Sequence, residues 1–152
     1  MIRRPLTLAL ALVLTLPGFA NAQTEDEVAI LRTIDLMFEG LAARDTAKMA
    51  SVLDPNAQLV VTATQDGNPV YRAVSMPQFL GSIAQEGPPI REEYADPQIV
   101  VHDNLATAWV SYTFFVDGEI SHCGEDAFQL ARTSDGWRVV AIADTRRTAG
   151  CG

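Results

Sequence analysis

Apolar residues recur every three to four positions near the start of the chain and every second position toward its end. The first spacing predicts helices and the second predicts strands. Val28, Leu31, Ile34, Phe38 and Leu41 share one face of a helix over Glu25–Ala43, widened by Ile30 and Met37. Thr24 is placed to cap it, with Glu25, Asp26 and Glu27 at the positive end of its dipole. Asp45 opens a short second helix, Thr46–Leu53, which Asp54-Pro55 ends. Gln58–Thr64 reads as a strand, Gln65–Asn68 as a turn, and Val70–Val74 as a segment able to pair back. Ser75 and Gln78 have capping-box spacing and start a third helix that stops before Gly87-Pro88-Pro89. Ile90–Val101 is a strand interrupted at Pro97, which marks an edge or a bulge.

Three strands then follow almost without interruption: Leu105–Val116, Glu119–Arg132 and Trp137–Thr145. Asp117-Gly118 and Asp135-Gly136 separate them, and Asp-Gly is a strong hairpin signal because both residues tolerate positive φ. Helices first and strands last is a segregated α+β pattern, which implies a curved antiparallel sheet with its helices on one face. There are no internal repeats and no linker long enough to divide the chain.

A two-residue turn at Asp117-Gly118 sets Val116 opposite Glu119. Counting back puts Phe115 opposite Ile120, Thr113 opposite His122, Ser111 opposite Gly124, Trp109 opposite Asp126 and Thr107 opposite Phe128. Opposed residues point the same way. One expected face therefore gathers Trp109, Ser111, Thr113, His122 and Asp126. Its reverse holds Val110, Tyr112 and Phe114, joined by Val140 and Ile142 on the last strand. An apolar outer face of that kind predicts a homodimer.

The first 22 residues stand apart. Arg3 and Arg4 precede an apolar run, Leu6–Leu16, and Ala20-Asn21-Ala22 supplies the small residues of a signal-peptidase site. The run is shorter than the roughly 20 residues that span a bilayer. A signal peptide over 1–22 and one domain over 23–152 are expected, with a periplasmic or secreted product. Removing Arg3 and Arg4 takes the net charge from −8 to −10. That acidity disfavours nucleic acid as a partner, and anionic membrane surfaces equally. Cys123 and Cys151 are the only cysteines. Export favours a disulfide between them, two free thiols being the alternative. Two histidines without ligand spacing suggest no metal site, and no cofactor motif is present.

The chain resembles the nuclear transport factor 2-like superfamily, which includes ketosteroid isomerases, SnoaL-like cyclases and "putative lumazine-binding" proteins. The likeness rests on Ile34–Leu41 with Asp45, on Asn104–Trp109, on Ser121–Leu130, and on Asp135-Gly136-Trp137 through Asp144-Thr145-Arg146-Arg147. It implies a cone-like curved sheet with three helices packed on its concave face, enclosing a deep pocket. No position here matches the isomerases' catalytic residues by motif, so their activity is not carried over.

If the His122 face is concave, His122 and Asp126 stand about 6–7 Å apart in an apolar cavity. They could then act as an acid–base pair, with Trp109, Ser111 and Thr113 as ligand contacts. Alternatively, His122 and Asp126 hydrogen-bond to one another or to Ser111 and Thr113 and are structural. Asp35, at the edge of the first helix's apolar arc, is expected to pair with an arginine. Arg146-Arg147 would meet an anionic ligand at the pocket mouth or neutralise Asp144. The function implied is an exported, soluble pocket protein for a small, partly apolar ligand. An isomerase, dehydratase or cyclase using His122 and Asp126 is the alternative.

Overall fold

A computed structural model describes residues 24–152; the signal peptide expected over 1–22 lies outside them. Helix α1 covers Glu25–Ala43. Thr24 accepts from the Glu27 backbone N–H while the Glu27 carboxylate accepts from the Thr24 N–H, a reciprocal cap that fixes where the helix begins. Helix α2, Thr46–Val52, is capped by Asp45. Strands β1 (Leu53–Gln65) and β2 (Asn68–Ser75) form a hairpin, and Ser75 and Gln78 cap α3, Met76–Ile83. Strands β3 (Ile90–His102), β4 (Leu105–Val116), β5 (Glu119–Thr133) and β6 (Gly136–Arg146) complete the chain. No helix among the described residues is long and apolar enough to cross a membrane.

The six strands form one open, curved sheet in the order β2-β1-β6-β5-β4-β3. It is mixed rather than wholly antiparallel, because β1 runs parallel to β6. All three helices lie against one face, where Ile30, Ile34 and Met49 meet Val110, Phe128, Leu130 and Val139, all essentially fully buried. The break at Pro97 is a register shift between Ala95 and Gln98 in the β3–β4 pairing.

The β4–β5 hairpin departs from the register expected of its turn. Asp117 and Gly118 both have positive φ, and Val116 pairs with Glu119 and Phe115 with Ile120 as the turn dictates. Beyond them Phe114 pairs with His122, leaving Ser121 as an extra residue on β5. One inserted residue in a period-two element flips every later pairing. Tyr112 therefore opposes Gly124, Val110 opposes Asp126, and Ala108 opposes Phe128.

The inner face of β4 is thus Ala106, Ala108, Val110, Tyr112 and Phe114. Trp109, Ser111 and Thr113 point outward. Val110, Tyr112 and Ile142, from which a dimer is expected, are buried inside and present nothing to a partner.

The β5–β6 hairpin turns at Ser134-Asp135 rather than Asp135-Gly136, and a second shift follows Gln129. Together they bring Cys123 opposite Arg147. Cys123 and Cys151 are joined by a disulfide.

Candidate functional site

Between the helices and the inner sheet face lies a cavity of about 510 Å³. Its two sides differ in chemistry. Met37, Phe38 and Leu41 of α1, Phe79 and Ile83 of α3, and Leu59 and Val61 of β1 make an apolar wall. Facing them, Glu92, Tyr112, His122, Asp126, Asp144 and Arg146 come from the four strands β3–β6, with Arg72 of β2 at the margin.

Strand parity delivers the polar wall. Asp126 and Asp144 are directly paired across β5 and β6, so both side chains rise from the same face. They are only 4% and 6% exposed, and one oxygen of each, Asp126 Oδ2 and Asp144 Oδ1, is buried without a hydrogen-bond partner. Asp144 Oδ2 accepts from Arg146 Nη2 at 3.2 Å. Gly124 lets β6 approach, since a Cβ there would collide with the Thr145 carbonyl oxygen. The Tyr112 hydroxyl donates to that same oxygen at 2.9 Å.

Burial governs the charges. It pushes Asp126 up to about 7, with the Asp144 charge adding to the effect, while a hydrogen bond from Glu92 and the Arg146 guanidinium pull back. Glu92 is raised well above the carboxylate range, first by burial and then by the charge of Asp126, to which it donates. Asp144 is raised by burial against the pull of Arg146. His122 moves the other way, down to about 4, because burial and then Arg146 both oppose a second positive charge. Its ring stacks on Phe114 with centroids 4.8 Å apart and meets Tyr112 edge-on. Nδ1 lies 3.1 Å from Ser121 Oγ. At neutral pH the wall therefore holds a neutral imidazole and two carboxyls, Asp126 and Glu92, that burial holds toward the protonated form. Such a pair can take up or release one proton near pH 7.

A family model described as "Putative lumazine-binding" matches residues 25–143. The chain belongs to that family. The fold of this lumazine-binding-type domain is similar to that of solved proteins titled NTF2-like. Its fold is similar to that of a protein of unknown function from Mycobacterium tuberculosis, at TM-score 0.66 and 13% identity over 81% of this chain and 72% of that one. A similar likeness, TM-score 0.66 and 14% identity over 84% and 85% of the two chains, holds for a Novosphingobium aromaticivorans protein titled NTF2-like with a cystatin-like fold. A Streptomyces avermitilis protein titled a putative dehydratase of the NTF2-like family matches at TM-score 0.58 and 16% identity, over 80% and 96%. No curated protein sequence matches significantly.

Of the residues expected at the site of this family member, His122 and Asp126 line the cavity. Trp109, Ser111 and Thr113 do not, because the Ser121 bulge turns them to the outer face. There Trp109 Nε1 donates to Glu125 Oε2 at 3.1 Å, Ser111 Oγ donates to both Glu125 oxygens, and Thr113 sits opposite Cys123. Asp35 accepts from the Tyr94 hydroxyl at 2.8 Å rather than from an arginine. Arg146 both lines the cavity and pairs with Asp144. His102 pairs with Asp103 on the surface. Among the described residues no three His, Cys, Asp or Glu side chains are placed to hold a metal. Glu92, which the sequence reading leaves out of the site, also lines the cavity, and its parity with Ile90 and Tyr94 marks it as inward-facing.

Proposed function

We propose that the chain is an exported pocket protein that binds a small, partly apolar ligand. The observation that supports this most is the contrast across the cavity. An aromatic and aliphatic wall faces two carboxylates, each with a buried oxygen that nothing in the described protein satisfies. A buried acceptor without a donor costs about 1–3 kcal/mol, and a ligand with N–H or O–H groups would recover that cost. Lumazine, named in the family description, is a flat heteroaromatic of that general kind. Native mass spectrometry of the purified protein, with and without a metabolite extract, tests the reading. A stoichiometric small-molecule adduct is expected, and none under any condition would contradict it. Export is tested by N-terminal sequencing of the mature protein, which should begin at Gln23; an intact Met1 would overturn that part.

A second reading, an isomerase or dehydratase, is favoured by one observation. Asp126, raised to about 7 beside Glu92, is suited to general acid–base work at neutral pH. In this reading Asp126 and Glu92 carry the proton. His122, held neutral, accepts a hydrogen bond from the ligand instead of acting as an acid. Recovery of chemically altered ligand after incubation would favour the enzyme; unaltered ligand would favour the binder.

A further inference from the structure

We propose that the polar wall recognises a nitrogen cation, an amidinium or primary ammonium group, seated between Asp126 and Asp144 with its apolar body against the facing wall. This rests on the ligand-binding reading above and adds the chemical class of the ligand. The two carboxylates are opposed on neighbouring strands, which sets their Cβ atoms about 4.5–5.5 Å apart. Asp144 Oδ2 is engaged by Arg146, and Glu92 stands beside the Asp126 carboxylate. Asp126 Oδ2 and Asp144 Oδ1 are both buried without a hydrogen-bond partner. They ask for two N–H donors from one compact group, as an amidinium or ammonium supplies.

An anion would meet charge of its own sign. Asp126 and Asp144 flank the gap, and among the described residues the guanidinium paired with them, that of Arg146, is committed to Asp144. Arg72 is exposed at the margin. A metal lacks a third ligand among the described residues. Phe38 and Phe79 opposite, with Phe114 beside His122, favour a flat or aromatic body next to the cation.

The test uses three aromatic probes of nearly equal shape and different charge: benzamidine, benzamide and benzoate. Each is titrated into the full-length mature protein by calorimetry at neutral pH. Benzamidine is expected to bind saturably, and benzamide and benzoate at least about tenfold more weakly. Asp126→Asn should weaken benzamidine by roughly tenfold or more, whereas Glu119→Gln on the surface turn should leave it unchanged. Benzoate or benzamide binding as well as benzamidine would overturn the cation assignment while leaving the pocket reading intact. Silence from all three at millimolar concentration would overturn it too, and the metabolite screen would then judge the pocket reading separately. Should Asp126→Asn fail to fold, the wild-type probe series alone still decides.

Discussion

The two walls of the cavity are made from the same sheet and helices but obey opposite rules. On the apolar side packing engages the side chains: Phe38 packs on Tyr94 and edge-on to Phe128 and is 6% exposed. On the polar side buried carboxylates are crowded together, their pKa values displaced and two of their oxygens left without partners. Folding alone gives no reason to keep such a cluster, because well-packed apolar residues would be at least as stable. The first wall therefore holds the fold together, and the second draws on that stability.

The comparison breaks most easily on the apolar side. Phe38→Ala should cost about 3–5 kcal/mol, the usual range for a buried phenylalanine, measured by denaturant unfolding. A loss below about 1 kcal/mol would mean that the cavity tolerates collapse and that this wall is not structural. Next, Cys123→Ser with Cys151→Ser opens a link spanning 28 residues. The chain-entropy relation puts the loss at about 3.5 kcal/mol. Because the link ties the tail to the strand position beside His122, the double variant separates stability from the polar wall: Tm should fall while probe binding in the folded protein persists.

A smaller and more telling effect is the pH dependence. Asp126 ordinarily titrates at 3.8 and is raised to about 7, so the folded state holds its proton more tightly than the unfolded state. Its contribution is full below pH 3.8 and is lost as pH rises through 7. His122 works against it: lowered from 6.5 to about 4, it contributes above pH 6.5 and loses that contribution as pH falls through 4. Glu92, also raised, sides with Asp126. Stability should therefore decline from about pH 4 to pH 7 in the wild type, and decline more steeply in His122→Phe. Thermal melts across that range check this, and a stability that rises over the same interval would contradict it.

Most of the fold is legible in the chain because local and long-range signals agree. The Thr24 and Ser75 capping boxes fix the starts of α1 and α3, and β4 runs over the segment its composition marks. The candidate site is less legible, and the reason lies in one residue. The turn at Asp117-Gly118 and the apolar pattern predict different registers, and the Ser121 bulge breaks the first but not the second. On β4 the apolar parity is Ala106, Ala108, Val110, Tyr112 and Phe114; on β5 it is Phe128 and Leu130. Facing these two sets requires a slip of one residue between turn and core, which the sequence therefore implied. The unbroken register puts Trp109, Ser111 and Thr113 on the face of His122 and Asp126, whereas the slip leaves them outside while His122 and Asp126 line the cavity. Glu92 shares the parity of Ile90 and Tyr94, so its inward direction is readable from β3 alone; its place beside Asp126, two strands away, is not.

The account stands most directly on Asp126. Equilibrium unfolding of Asp126→Asn beside the wild type at neutral pH, without ligand, separates a site from a scaffold. The account predicts a variant as stable as the wild type or more so, since a strained buried carboxyl is removed, and one that no longer binds the amidine probe. A loss of about 1–3 kcal/mol with probe binding intact would show that Asp126 is a structural partner and that the polar wall is not the site.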